Sequence, residues 1–179
     1  MALYSSKRLA HAALWSLPLL YSLIPKGHLA PSPQVPPQEL RLFIESCHDG
    51  DTCRAHDERG KTWRLRLAGI DAPEVQQRPR LHSERALARV HELTRGRSCR
   101  VRALGRDAYA RSLALIWCDG IFVNETLVRE GHAYAYLHLG FPESRFEWAE
   151  RGERRAREQR LGIFSSGRRL QSPHHFRRQ

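Results

Sequence analysis

The sequence predicts an α+β fold, mainly a five-stranded β-barrel with three helices inserted among the strands. Short segments in which apolar residues alternate with other residues are typical of strands with one buried face. Turn-forming residues separate these segments, and longer stretches between them carry apolar residues at helical spacing. Five short strands with inserted helices are typical of an OB-type barrel, a fold that often binds oligonucleotides.

The strands are predicted from alternation and from the turns that join them. In the first strand, Leu40, Leu42 and Ile44 lie on one face. The run Asp57-Glu58-Arg59-Gly60 predicts a hairpin between the second and third strands, and Asp119-Gly120 predicts a tight turn after the fifth. The predicted strands are residues 40–47, 52–56, 62–67, 98–103 and 111–118.

Three helices are predicted from periodicity and capping residues. Residues 82–95 carry apolar residues at helical spacing, and Gly96 ends this helix. Asn124 is predicted to cap a second helix that runs to Glu130 and is closed by Gly131. The third helix, residues 143–161, is highly charged. Its predicted packing face consists of small residues: Ala149, Gly152 and Ala156. The residues predicted to cover an end of the core are Leu161, Ile163 and Phe164.

The charge of the chain favours a polyanionic partner. The 179 residues carry a formal charge of +11, and 27 of the 30 basic residues are Arg. Arg suits bidentate phosphate contacts, although a codon bias gives the same composition. Residues 151–179 hold nine Arg against Glu153 and Glu158, a net of +7. Residues 166–179 are therefore predicted to be a basic tail, which either docks on nucleic acid or is a solvated terminus.

The first 39 residues form a separate predicted unit, a signal or anchor segment with a Pro-rich linker. Lys7-Arg8 precede residues 9–24, which are mostly apolar and carry no formal charge. This pattern predicts export or membrane anchoring, with the barrel outside the cytosol, and membrane association through residues 9–24. The stretch is short for a full span. A disordered start is the alternative.

Four cysteines lie in the predicted barrel: Cys47, Cys53, Cys99 and Cys118. Their spacing matches no zinc pattern. Behind an export signal they predict disulfides, for which three pairings exist. Four buried thiols in a reducing compartment are the alternative.

Carboxylates and an arginine cluster in the sequence at predicted strand ends and turns. Asp49-Gly50-Asp51-Thr52 is followed by Arg66 and then by Gly69-Ile70-Asp71-Ala72-Pro73-Glu74. Carboxylate oxygens suit a hard divalent cation, a third carboxylate can hold or deprotonate water, and a guanidinium suits phosphate. The pattern predicts a metal-assisted site for attack on phosphorus, with plain turn formation as the alternative for each motif alone.

These motifs continue downstream in a fixed order. The further segments are Asp107-x-Tyr109-x-Arg111 with Leu113-Ala114, Asp119-Gly120-x-x-Val123-Asn124-x-x-Leu127-Val128-x-x-Gly131, and Leu161-Gly162-Ile163-Phe164. In order and spacing, residues 40–164 resemble the staphylococcal nuclease (thermonuclease) family. The resemblance implies the corresponding OB-type barrel for residues 40–165.

The resemblance implies a role for each acidic residue of the site. Asp51 and Asp71 match the carboxylates that bind Ca²⁺, with the carbonyl of Ala72 as a further oxygen. Glu74 matches the acid that activates or positions the attacking water. Asp49 matches an auxiliary acid near the metal.

Arginine and tyrosine residues match the substrate contacts of the family. Arg66 and Arg111 match the two arginines that clamp the scissile phosphate, and Tyr109 matches a tyrosine that contacts a terminal phosphate. Tyr136 either matches a base-stacking aromatic residue or is a tyrosine of the barrel surface. Ala110 departs from the family pattern because it replaces the usual Gly between Tyr109 and Arg111.

The implied activity is a Ca²⁺-dependent, sugar-nonspecific nuclease acting on DNA and RNA. Water would cleave the P–O5′ bond, leaving 5′-hydroxyl and 3′-phosphate ends. We expect a monomer. The alternatives are a non-catalytic nucleic-acid-binding module of the same fold and a membrane-tethered interaction protein whose basic tail binds anionic lipid.

Overall fold

A computed structural model of the protein describes residues 38–137, 140–165 and 171–177, which lie in one compact unit. The predicted signal or anchor segment, residues 1–39, falls almost wholly outside the described residues. Among the helices of the described ranges, none has the length and apolar character needed to span a bilayer.

Five strands form a closed mixed barrel. These strands are β1 (Gln38–Cys47), β2 (Thr52–His56), β3 (Thr62–Leu67), β5 (Ser98–Arg106) and β6 (Ser112–Cys118). They pair antiparallel in the order β3-β2-β1-β5-β6, and a parallel pairing of β3 with β6, in which Arg66 lies opposite Leu113, closes the barrel. Three two-residue strands complete the sheets: β4 (Ile70–Asp71), β7 (Ile121–Phe122) and β8 (Tyr134–Ala135).

Helices pack against the barrel. They are α1 (Arg80–Thr94), α2 (Val123–Arg129), α3 (Glu147–Glu158) and the one-turn α4 (Pro173–Phe176). Two 3₁₀ turns flank α3, Glu143–Phe146 before it and Gly162–Phe164 after it. This arrangement confirms the predicted α+β barrel of five strands with helices.

The core has two parts. The larger part fills the barrel and the space under α1 and α2, with Leu42, Ile44 and Ile116 almost fully buried. The smaller part lies between the barrel and α3 and contains Phe146. Burial of aliphatic and aromatic side chains from distant strands is the main force that holds the barrel closed.

The element boundaries differ from the predicted ones where pairing is long-range. β5 extends to Arg106, three residues beyond the prediction, because its pairing with β6 continues through a bulge to the Arg106–Ser112 pair. The third helix begins at Glu147, since the residues before it form a 3₁₀ turn. Its predicted packing face is confirmed, because the small residues are buried: Ala149, Gly152 and Ala156.

The predicted capping role of Asn124 is wrong. Asn124 lies inside α2, where its side chain is fully buried. Its amide oxygen accepts from the Ile116 N–H at 3.0 Å, and its amide nitrogen donates to the carbonyls of Ala68 and Ala114 at 2.9 Å. Asn124 therefore hydrogen-bonds three backbone groups of β6 and the β3–β4 turn, at the place where the barrel closes.

The four cysteines form two disulfides in the structure, Cys47–Cys53 and Cys99–Cys118. The first bond crosses from β1 to β2, and the second crosses from β5 to β6. Both bonds join neighbouring strands, so each one reinforces a strand pairing of the barrel. Disulfides persist in oxidising compartments, which is the environment that the predicted export would give this domain.

Candidate functional site: an acidic and arginine-lined cleft

One cleft of about 530 Å³ collects most of the residues predicted to be functional. Seven of the nine predicted site residues line it: Asp49, Asp51, Arg66, Glu74, Tyr109, Arg111 and Tyr136. The other two lie directly beneath. Asp71 forms an ion pair with Arg66, and the backbone N–H of Ala72 donates to Asp51 Oδ2 at 2.6 Å. The structure therefore brings together residues from the β1–β2 turn, β3, β4 with the loop after it, and the loop before β6.

The turn between β1 and β2 positions Asp49 and Asp51. Asp49 Oδ1 accepts the backbone N–H groups of Asp51 at 3.0 Å and Thr52 at 2.7 Å, which fixes the turn. Gly50 packs so closely that a Cβ there would lie 2.6 Å from the Cβ of Ala72 and 2.8 Å from that of Ala86. Only glycine allows this approach, so Gly50 lets the turn pack against Ala72, the residue that follows Asp71.

A second glycine directs Asp71 into the site. Gly69 has a φ of +79°, a left-handed conformation that favours glycine. The chain turns there between β3 and β4, so that Arg66 at the end of one strand faces Asp71 at the end of the next.

Arg66 lies between the two predicted metal ligands. Its guanidinium is 3.3 Å from Asp51 Oδ2 and 3.0 Å from Asp71 Oδ1, and its Nη1 also donates to the carbonyls of Leu67 and Ile70 at 2.8 and 2.9 Å. Arg66 is only 6% exposed. In this structure the side chain holds the two carboxylates together, in addition to lining the cleft.

The carboxyls of the cleft are electrostatically crowded. Burial, followed by repulsion from Asp51, raises the pKa of Asp49 to about 6, and the same two causes raise the pKa of Asp71 to about 6. The charges of Arg66 and Arg177 oppose the shift at Asp71. A cation placed among these groups favours their ionised forms, because it relieves the repulsion between them.

Arg111 lines the cleft beside Asp107 and Thr52. Its Nε donates to Asp107 Oδ2 at 2.8 Å, and its Nη1 donates to Thr52 Oγ1 at 3.2 Å. The remaining donor capacity of the guanidinium is available to a phosphate. Asp107 and Thr52 orient this side chain. Neither residue was predicted to be functional, although both belong to the recognised motifs.

The turn before Arg111 places Ala110, which stands where the family pattern has glycine, in a left-handed conformation. Ala110 has a φ of +58°, so it adopts the left-handed conformation that glycine would adopt without strain. Tyr109 is 72% exposed, and the Arg111 guanidinium lies 5.4 Å from the centre of its ring. Tyr109 therefore stands at the rim of the cleft, where a nucleotide can reach it.

The C-terminal residues contribute a group that sequence analysis did not predict at the site. Arg177 forms ion pairs with Asp71 and Glu74. Nearby, the ring of His174 lies 5.7 Å from that of Tyr136, and both residues line the cleft. The basic character of the C-terminus was visible in the sequence, but no local signal indicated where these residues would dock.

Asp51 and Asp71 fit a hard cation, because both supply carboxylate oxygens and the two side chains lie close together. Asp51 and Asp71 approach a single guanidinium, so their oxygens face a common positively charged group. Within the described ranges no group of three or more His, Cys, Asp or Glu side chains is placed to hold a metal. A cation at Asp51 and Asp71 would therefore take its other ligands from backbone oxygens and water, which Ca²⁺ accepts readily.

The fold and the cleft define an OB-type barrel protein with an acidic and arginine-lined site. The model of the family described as "Staphylococcal nuclease homologue" matches residues 64–166, more than half of the chain. The chain belongs to this family. The prediction made from the motifs is confirmed.

Relatives of the chain come from plants and bacteria. It is 31% identical over 125 residues to "Probable staphylococcal-like nuclease CAN1" of Oryza sativa subsp. japonica, covering 70% of this chain and 35% of the relative. It is 34% identical over 128 residues to "Micrococcal nuclease" of Shigella flexneri, covering 65% of this chain and 69% of the relative. The chain thus spans about a third of the length of the rice protein.

Proposed function

We propose that the protein is a Ca²⁺-dependent nuclease that hydrolyses phosphodiester bonds of DNA and RNA. The observation that supports this most is the convergence of Asp51, Asp71, Glu74 and Arg111 around one cleft, since they come from three separate segments of the chain. Membership of a family whose named relatives are nucleases supports the same activity.

Each residue has a proposed role that follows from its chemistry. Asp51 and Asp71, with the carbonyl of Ala72 and with Asp49 nearby, would hold the Ca²⁺. The bound cation would supply Lewis acidity at the phosphate. Glu74, at the mouth of the cleft, would accept the proton of the attacking water. Arg66 and Arg111 would stabilise the charge that grows on the phosphate oxygens in the transition state.

The reaction would be in-line attack of water on phosphorus with departure of the 5′ oxygen. It leaves a 5′-hydroxyl and a 3′-phosphate. Tyr109 at the rim would contact a neighbouring phosphate, and Tyr136 inside the cleft would stack on a base. Recognition through phosphates does not involve the 2′ position of the sugar, so we propose that both DNA and RNA are cleaved.

The full chain should cleave plasmid DNA and RNA in millimolar Ca²⁺ and should lose this activity in excess chelator, because the cation is part of the proposed phosphate site. Asp51→Asn should raise the Ca²⁺ concentration needed for half-maximal activity. Cleavage can be followed by gel electrophoresis, and the product ends by labelling with kinase and phosphatase. Cleavage that persists in chelator contradicts the Ca²⁺ role. Tight binding without hydrolysis in Ca²⁺ would instead establish the non-catalytic alternative.

Two further arginines extend the basic surface from the cleft. Arg54 and Arg64 lie directly opposite each other on β2 and β3, and Arg64 also lines the cleft. Both are exposed, and within the described residues neither has a carboxylate partner within 4.0 Å. Like charges placed opposite one another on a sheet destabilise it. A bound polyanion removes this repulsion, so we propose that the nucleic acid continues over this pair.

The double variant Arg54→Gln/Arg64→Gln should therefore flatten the salt dependence of DNA binding. Loss of two phosphate contacts should reduce the slope of log affinity against log salt by between about 1 and 2, depending on the strandedness of the DNA. Fluorescence anisotropy with a labelled oligonucleotide measures this slope, in a Glu74→Gln background that prevents cleavage. The matched control is Arg155→Gln/Arg160→Gln, which removes two exposed arginines in and after α3. Equal slopes for the two double variants would place the nucleic acid elsewhere.

A further inference from the structure

The C-terminal residues 171–177 are held in the cleft at several points. The Arg177 guanidinium donates to Glu74 Oε1 at 2.5 Å and to the two carboxylate oxygens of Asp71 at 2.9 and 3.1 Å. The Nε2 of Gln77 donates to the carbonyl of Gln171 at 2.5 Å. Hydrogen bonds at both ends thus fix this segment against β4, which carries Asp71, and against the loop after it, which carries Glu74 and Gln77.

The segment is itself locally ordered. Pro173 is buried and begins α4, and Ser172 Oγ lies 2.8 Å from His175 Nδ1. The exposed fraction of the Asp71 side chain is only 2%, and the guanidinium groups of Arg66 and Arg177 both contact it. A salt bridge to a carboxylate this buried differs from an exposed ion pair, because water does not compete effectively for the charges.

The position of Arg177 conflicts with the proposed chemistry of the same carboxylates. Both oxygens of Asp71 face the guanidinium, and Glu74 is bound to it as well. A Ca²⁺ ion at Asp71 would lie against another positive charge, and a water molecule bound to Glu74 would occupy the place of Arg177 Nη1. Arg66 contacts only Oδ1 of Asp71, whereas Arg177 also contacts Oδ2, the oxygen that Arg66 leaves for a cation. Arg177 and a cation at Asp71 therefore compete for the same carboxylate oxygen.

We propose that Asp71, Glu74 and Gln77 form a docking site for the chain's own residues 171–177, and that this segment closes the cleft until a divalent cation displaces Arg177. The inference rests on the proposed function for the role of the cation. Docking of a tethered segment is intramolecular, so it is favoured over binding of a free peptide. The protein rests in a closed state, and Ca²⁺ together with nucleic acid shifts it to an open one.

Closure makes the apparent affinity for Ca²⁺ equal to the intrinsic affinity of the open state multiplied by the fraction of molecules that are open. If about one molecule in ten is open without ligand, removal of the contact should tighten Ca²⁺ binding about tenfold. The full chain and its Arg177→Gln variant are titrated with Ca²⁺ alone in a calorimeter. The control is Arg155→Gln, which makes the same charge change at an exposed position of α3. We expect tighter binding for Arg177→Gln and wild-type binding for Arg155→Gln.

A second measurement tests the contact without metal. Glu74→Gln, Arg177→Gln and the double variant are melted in chelator. Because the two side chains bind each other, their effects on the melting temperature should be clearly non-additive. Additive effects overturn the proposal, and so does unchanged Ca²⁺ affinity in Arg177→Gln.

The outcomes separate this inference from the proposed function. If wild type cleaves DNA with Ca²⁺ and Arg177→Gln binds Ca²⁺ no more tightly, the function stands and the docking proposal falls. If Arg177→Gln instead weakens DNA binding more than Arg155→Gln does, and Ca²⁺ affinity is unchanged, Arg177 is a phosphate contact and the docking proposal is wrong. If no variant binds Ca²⁺ or cleaves DNA, the proposed function fails, and the non-additive melting alone decides whether the segment docks.

Discussion

Glu74→Gln and Arg111→Ala are each expected to lower the rate of DNA cleavage at saturating Ca²⁺ by at least about 10²-fold. The loss of one preorganised group that acts on the transition state typically costs that much. Glu74→Gln keeps the size of the side chain and removes its basicity. Arg111→Ala removes a guanidinium that is held toward the cleft by Asp107 and Thr52.

Initial rates on a defined double-stranded substrate measure these effects, with circular dichroism to show that each variant is folded. Glu58→Gln serves as the control for the carboxylate, since Glu58 is exposed in the β2–β3 hairpin. Arg155→Ala serves as the control for the guanidinium, since Arg155 is exposed on α3. Folded variants of Glu74 or Arg111 with rates close to those of their controls would show that the chemistry takes place elsewhere.

Arg66→Ala is expected to reduce the free energy of unfolding by about 3–5 kcal/mol, which is the range for removing one partner of a buried ion pair. Arg66 is 6% exposed and forms ion pairs with both Asp51 and Asp71. Its removal leaves Asp51 without its arginine partner and Asp71 with Arg177 alone, and it leaves the carbonyls of Leu67 and Ile70 without this donor. Arg111→Ala should cost much less, because its side chain is partly exposed and its partner Asp107 can be solvated.

Urea unfolding of the two variants in chelator measures this difference. Added Ca²⁺ should restore part of the stability of Arg66→Ala, because a cation at Asp51 and Asp71 replaces the lost charge by mass action. A variant as stable as wild type would mean that these two carboxylates do not depend on Arg66. For the same reason, the loss of activity in Arg66→Ala combines lost folding with lost catalysis, so Arg111 is the clearer probe of phosphate binding.

Patterns in the sequence were enough to predict the barrel and most of the predicted site residues that line its cleft. Alternation along β1 and the turn residues at Asp57–Gly60 and Asp119-Gly120 act over a few residues, and the structure has strands and turns at these places. The Asp-Gly-Asp-Thr and Gly-Ile-Asp-Ala-Pro-Glu runs place carboxylates at strand ends, and barrel closure brings them to one cleft. The sequence shows Gly50 between the two aspartates, but only the structure shows that a Cβ there would collide with Ala72 and Ala86.

The tertiary structure alone decided what several of these residues contact. An asparagine at the start of a helix predicts a cap. Asn124 is instead buried, because barrel closure brings backbone groups of β6 and of the β3–β4 turn to its side chain. From the sequence, Arg66 was predicted only to bind phosphate. Its burial between two carboxylates depends on the turn that places β4 beside the end of β3. Arg177 is 106 residues from Asp71 and 103 from Glu74 along the chain. No periodicity or turn signal extends over such a separation, so their contact depends on how the folded chain brings its C-terminus back to the cleft.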